Sequence, residues 1–119
     1  MLTRYEGIVK KGWGHENIFV TNDDYCGKIL HFRNGGKSSM HFHLDKKETW
    51  YVISGKYLIK FIETETATLR VIPFEVGQTW TNSRGMPHQI ECIESGDIFE
   101  VSTPDNDYDN YRVMKGDSQ

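Results

Sequence analysis

Four residues carry the plainest chemistry in this sequence: His41, His43, Glu48 and His88. Three of them lie in one run: Gly35, five residues, His41, one residue, His43, four residues, Glu48, six residues and Gly55. On an extended strand alternate side chains share a side, so His41 and His43 aim together while Met40 and Phe42 aim away. A turn containing Asp45, Lys46 and Lys47 precedes Glu48, and an antiparallel return strand is expected to carry its carboxylate back beside the pair. His88 opens a later strand after Ser83-Arg84-Gly85-Met86-Pro87 and completes a set of three imidazoles and one carboxylate. Such donors suit one divalent ion of the Mn, Fe, Co, Ni or Zn type and leave coordination positions open for water or substrate. At this chain's own residue frequencies the Gly-His-His-Glu-Gly spacing arises by chance on the order of once in five thousand such sequences. His15 and His31 stand outside the pattern.

Strands must position these groups. Apolar and polar residues alternate, and stretches with helical spacing are few, so strands are expected at 17–20, 27–33, 38–43, 49–54, 56–62, 67–72, 78–82, 88–93 and 96–103. Turn residues fall between them, as at Asn34-Gly35-Gly36, Ser54-Gly55 and Ser95-Gly96. Nine short strands imply an all-β sandwich or barrel, with the strand after Gly55 read as the second arm of a hairpin. Tyr57, Ile59 and Phe61 share one face of that strand and, with Trp13, Trp50 and Trp80, are expected in the core. Cys92 follows His88 and Ile90 on the same strand face and reads as a small buried apolar residue. The segment 104–119, with Asp105, Asp107 and Asp109, lacks the Gly and terminal Glu of a calcium loop and reads as a solvated acidic tail.

The 119 residues suffice for a single domain, with the barrel core expected at about 17–103. A formal charge of −3 offers no basic excess for nucleic acid. The longest unbroken apolar run is Trp50 to Ile53, far short of a membrane span or an export signal, so a cytoplasmic chain is expected. Two cysteines, Cys26 and Cys92, 66 positions apart, agree with a reducing compartment.

The run from Gly35 to Gly55 resembles the first motif of the cupin superfamily at every defining position. Gly77, five residues, Ser83-Arg84-Gly85, two residues and His88 resemble its second motif, with Ser83 in place of the usual Pro and Cys92 in place of the usual Asn. The resemblance implies a small double-stranded β-helix, or jelly-roll barrel, with His41, His43, Glu48 and His88 at its mouth around one divalent metal ion. From about Lys11 to Arg112 the chain is similar to the cupin module of bacterial phosphomannose isomerase and mannose-1-phosphate guanylyltransferase proteins. Trp13-Gly14-His15-Glu16, Ser39-Met40-His41-Phe42-His43, Glu48-Thr49-Trp50, Gly85-Met86-Pro87-His88 and Phe99-Glu100-Val101 carry that likeness. That group often has Gln where this chain has His41, so the ligand set here is that of general cupins.

The narrower resemblance implies isomerisation of a sugar phosphate, with Lys28 and Arg112 at positions suited to hold a phosphate. Tyr57 and Cys92 join them as candidate substrate-binding residues, and a homodimer paired edge to edge is expected. Two other readings stand beside it. Two histidines and a carboxylate with open positions also serve iron-dependent oxygenases, and the same barrel serves as a non-catalytic module for a sugar or small metabolite.

Overall fold

Period-two alternation sorts the chain into two facing sheets. The computed structural model describes residues 2, 7–106 and 108–117. Among them are eleven strands: β1 Ile8–Lys11, β2 Gly14–Thr21, β3 Cys26–Phe32, β4 Met40–Phe42, β5 Glu48–Val52, β6 Lys56–Glu63, β7 Thr68–Glu75, β8 Thr79–Asn82, β9 His88–Glu94, β10 Gly96–Ser102 and β11 Tyr111–Met114. One sheet has the order β1-β2-β3-β10-β5-β8 and the other β11-β4-β9-β6-β7, all pairs antiparallel. No helix of the described residues is long and apolar enough to cross a membrane.

The inward faces meet in one apolar cluster. Leu30 and Phe32 of β3, Trp50 and Val52 of β5 and Ile98 of β10 face Tyr57 and Ile59 of β6, Phe74 of β7 and Ile90 and Cys92 of β9. Trp13 stacks on Phe32 with ring centroids 4.3 Å apart, and Phe32 meets Tyr57 edge-on at 5.6 Å. Ile59 is fully buried between the sheets. Ile59→Ala should cost about 2–5 kcal/mol, because lost burial and a residual cavity add. A urea midpoint read at constant slope measures it, and a loss below about 1 kcal/mol would contradict this placement.

Three expectations need correction. The turn at Gly55 does not close a hairpin, because β5 pairs with β10 and β8 while β6 pairs with β7 and β9. The chain crosses between sheets there, and Gly55 (φ 90°) makes the corner, where a Cβ would lie 2.6 Å from the Glu94 carbonyl oxygen. Second, strands lie outside 17–103, since β1 pairs with β2 and β11 pairs with β4. Third, the acidic segment is not a solvated tail: Asp109 is 5% exposed, and β11 is built into the sheet. Asp107, Ser118 and Gln119 of that segment lie outside the described residues.

Candidate metal centre

The expected return of Glu48 on a strand beside the histidines is also overturned, to the benefit of the site. His41 on β4 is the cross-strand partner of His88 on β9, and His43 follows just beyond β4. Glu48 opens β5 in the opposite sheet, so the quartet is closed across the barrel rather than within one sheet. One ligand atom from each of the four residues lies within 4.8 Å of all the others.

Each imidazole is oriented through its rear nitrogen. Nδ1 of His41 is 2.9 Å from the Ser39 carbonyl oxygen, that of His43 is 2.5 Å from the Asp109 carbonyl, and that of His88 is 3.0 Å from the Met86 carbonyl. A carbonyl only accepts, so every Nδ1 carries the hydrogen, and in the neutral ring, the form that binds a metal, each Nε2 presents a lone pair. His43 Nε2 is buried without a hydrogen-bond partner among the described residues. Glu48 Oε1 lies 2.9 Å from His88 Nε2 and 3.8 Å from His43 Nε2. Lone pairs turned on one another in a buried pocket call for a cation between them, and these donors fit a borderline divalent ion.

Glu48 is itself held. Asn82 Nδ2 donates to Oε1 at 2.9 Å, while the Lys46 ammonium lies 3.1 Å from Oε2. Burial pushes the Glu48 carboxyl up, but the His88 contact and the Lys46 charge outweigh it and keep the group well below the usual carboxylate range. Lys46 belongs to a buried charge cluster. It also lies 2.7 Å from Asp105 and 3.6 Å from Glu100, and Lys28 lies 2.6 Å from Asp105, 3.6 Å from Glu16 and 3.9 Å from Glu100. Four carboxyl groups (Glu16, Glu48, Glu100, Asp105) thus face two ammonium groups, and burial with the Glu48 charge pushes Glu100 up to about 7, so negative charge is in excess here and a cation would offset it.

His41 is held neutral, its pKa pushed down to about 3 by burial first and the like charge of His88 next, with Glu48 pulling the other way. An unfolded chain protonates the same ring near pH 6.5. Stability of the metal-free chain is therefore full above about pH 6.5 and falls as the pH drops from there towards 3. The loss is up to about 1.4 kcal/mol per pH unit for each ring so held. Denaturant midpoints of metal-free protein between about pH 8 and about pH 4 measure it, and a flat profile would contradict the burial of His41.

His41, His43 and Glu48 of the quartet line a cavity of about 370 Å³ between the sheets. Of the other residues singled out in the sequence, Lys28 and Arg112 line it as well. Lys28 is buried among three carboxylates and has no charge left to offer an anion. Arg112, opposite His41 on β11, has no carboxylate within 4.0 Å among the described residues. Tyr57 and Cys92 are not in the cavity wall. They are cross-strand partners in the core, Cys92 four residues and so about 13 Å along β9 from His88. Tyr57 Oη donates to the Ser54 carbonyl at 2.9 Å, and burial pushes the Cys92 thiol up to about 11. Asn82, Glu100 and Asp109 were not singled out for the site by spacing, because each reaches it only through the pairing of distant segments, and Lys46, though close to Glu48 in sequence, read only as a turn residue.

Among solved structures the chain is similar to oxalate decarboxylase from Bacillus subtilis, with a TM-score of 0.77 and 18% identity over 91% of this chain. It spans about 30% of the length of that protein. It is also similar to KdgF from Halomonas sp., with a TM-score of 0.68 and 15% identity over 79% of this chain and 82% of that one. No protein-family model matches the sequence, and no curated protein matches it. The all-β architecture is the cupin fold, and its cluster of His41, His43, Glu48 and His88 could hold a metal ion.

Proposed function

We propose that this metal-binding cupin barrel is a divalent-metal-dependent enzyme that isomerises a small polar substrate such as a sugar phosphate. The observation that carries the reading is the pairing of the His41-His43-Glu48-His88 cluster with an unopposed Arg112 on the wall of the cavity that His41, His43 and Glu48 line. Arg112 and His41 are cross-strand partners, which supports a role for the Arg112 fork in holding a phosphate near the imidazoles. A divalent ion bound there supplies Lewis acidity towards a carbonyl and its neighbouring hydroxyl. The chain's own part is orientation and proton handling. Asn82 and Lys46 fix Glu48, and the three carbonyls fix the rings. Trp13, Leu30, Phe32 and Ile90 supply the apolar part of the cavity wall. Glu100 accepts from Trp50 Nε1 at 2.9 Å, and burial and the Glu48 charge raise its proton affinity, which suits it to pass a proton.

Exchange of substrate hydrogen with solvent deuterium, followed on mannose 6-phosphate and related aldose phosphates, tests the reading. Exchange that vanishes on chelation and falls at least about 100-fold in Arg112→Gln is expected. No exchange with any of the five metals would overturn it, and oxygen uptake with iron but not zinc would replace it by the oxygenase reading.

A further inference from the structure

A buried lysine pair is the least expected feature of the cavity wall. Lys28 of β3 and Lys46 of the β4–β5 loop both line the cavity, each with a side chain only 8% exposed, although lysine is almost never fully buried unless paired. Their ammonium groups converge on one carboxylate. Lys28 Nζ lies 2.6 Å from Asp105 Oδ2 and Lys46 Nζ 2.7 Å from Asp105 Oδ1, one cation to each oxygen, and the Cys26 thiol points to Oδ2 at 3.8 Å. That is the arrangement of a receptor for a carboxylate. Asp105 is also the most exposed acid of the cluster. Its side chain is 35% exposed against 17% for Glu16, 6% for Glu100 and 3% for Glu48, and it stands between β10 and β11, outside either strand. Next to the lysines the wall is apolar. Alternate side chains of a strand share a side, so Lys28 is followed on β3 by Leu30 and Phe32, and Trp13 and Ile90 line the same cavity.

We propose that the lysine pair is a binding site for the carboxylate of a small organic acid with a hydrocarbon part, which takes the place of Asp105 while its hydrocarbon lies on the apolar wall. With Asp105 in place neither ammonium has charge to spare, so exchange is the route in. Replacing one carboxylate by another leaves the charge of the cluster unchanged and strands no buried ion. Asp105, carried by the same chain, competes at an effective concentration of about millimolar order, so an acid with no further contact binds weakly. Each methylene buried on the apolar wall strengthens binding about fourfold. A cavity of about 370 Å³ is of the size that holds a small organic ligand. The site adjoins the quartet, since Lys46 also reaches Glu48, but it does not rest on the isomerase reading. An acid bound there excludes any other occupant of that part of the cavity.

NMR titration of the full chain at neutral pH with acetate, butyrate and hexanoate, metal-free and zinc-loaded, tests it. The wild type is expected to bind hexanoate at about millimolar concentration, the shorter acids more weakly by about fourfold per methylene lost, and hexanamide not at all. Asp105→Asn, which removes the competing charge and keeps the shape, should tighten hexanoate binding at least about tenfold with or without zinc, a gain that damage to the fold does not produce. Lys28→Met should abolish binding without touching the quartet. Equal affinity in the wild type and Asp105→Asn overturns the proposal. So does binding that needs zinc and ignores Lys28→Met, the mark of a carboxylate on the metal, and so does inorganic phosphate that gains as much as hexanoate from Asp105→Asn. None of these results depends on hydrogen exchange in an aldose phosphate, so failure here and failure of the isomerase reading are read separately.

Discussion

A chain in which His41 and His43 are both alanine should hold no divalent metal, where the wild type holds about one ion per chain. The two imidazoles supply half of the quartet. What remains, His88 and Glu48, is a pair 2.9 Å apart whose carboxylate is already committed to Asn82 and Lys46. Two ligands cannot close a site that needs three or four protein donors. Elemental mass spectrometry of the purified proteins reads the loss directly, and thermal melts read it through mass action. At a metal concentration about 100-fold above its dissociation constant the wild type gains about 2.7 kcal/mol, a rise of roughly 10 °C in Tm for a domain of this size, and the double variant gains nothing. The metal-free melts should differ far less, because both side chains border a cavity and not the apolar cluster. A wild type that holds no metal after reconstitution would leave the cavity with its binding role alone.

The quartet was legible in the sequence because its signal is local and periodic. Two imidazoles two apart on a strand must share a face, whatever the strand pairs with, and the structure keeps them together. What pairs with that strand was not legible. Glu48 follows His43 closely enough to suggest a hairpin, yet Lys46 is drawn inward to Asp105 and Glu100, and the chain passes to the other sheet. Edge strands were lost for a related reason. Ile8-Val9-Lys10-Lys11 is too short to show alternation, and Tyr111–Met114 follows a run of Asp and Asn that on composition alone belongs in solvent. Asp105 and Asp109 are instead drawn to buried ammonium groups and backbone N–H groups some sixty residues or more away in sequence. Composition sees none of these partners. The same limit applies to Lys28, whose position suggested a phosphate and whose surroundings are three carboxylates.

Asp109→Ala should weaken divalent metal binding by about 10–100-fold although Asp109 is no ligand, the range typical of lost support behind a metal-bound histidine. Its carboxylate accepts from the backbone N–H groups of Leu44 at 2.6 Å, Asp45 at 3.0 Å and Lys46 at 2.8 Å, and so fastens the loop that joins His43 to Glu48 across the barrel. Its backbone carbonyl meanwhile takes the His43 Nδ1 hydrogen. Alanine keeps that carbonyl but frees the loop, and the buried N–H of Lys46 with its two neighbours loses an ionised acceptor, a cost of roughly 2–4 kcal/mol in stability. Asp109→Asn, which keeps an acceptor oxygen without the charge, should fall between. Burial pushes the Asp109 carboxyl up, but the three N–H donors outweigh it and hold it below the usual range. Its contribution is therefore present at neutral pH and is lost only as the pH falls through that lowered value. Competition against a chromophoric chelator at neutral pH separates the two effects, since loss of metal affinity in a chain that remains folded reports on the loop alone. Unchanged affinity in Asp109→Ala would mean that β4 and β5 alone set the ligand geometry, and that the segment from Asp105 to Met114 covers the site without shaping it.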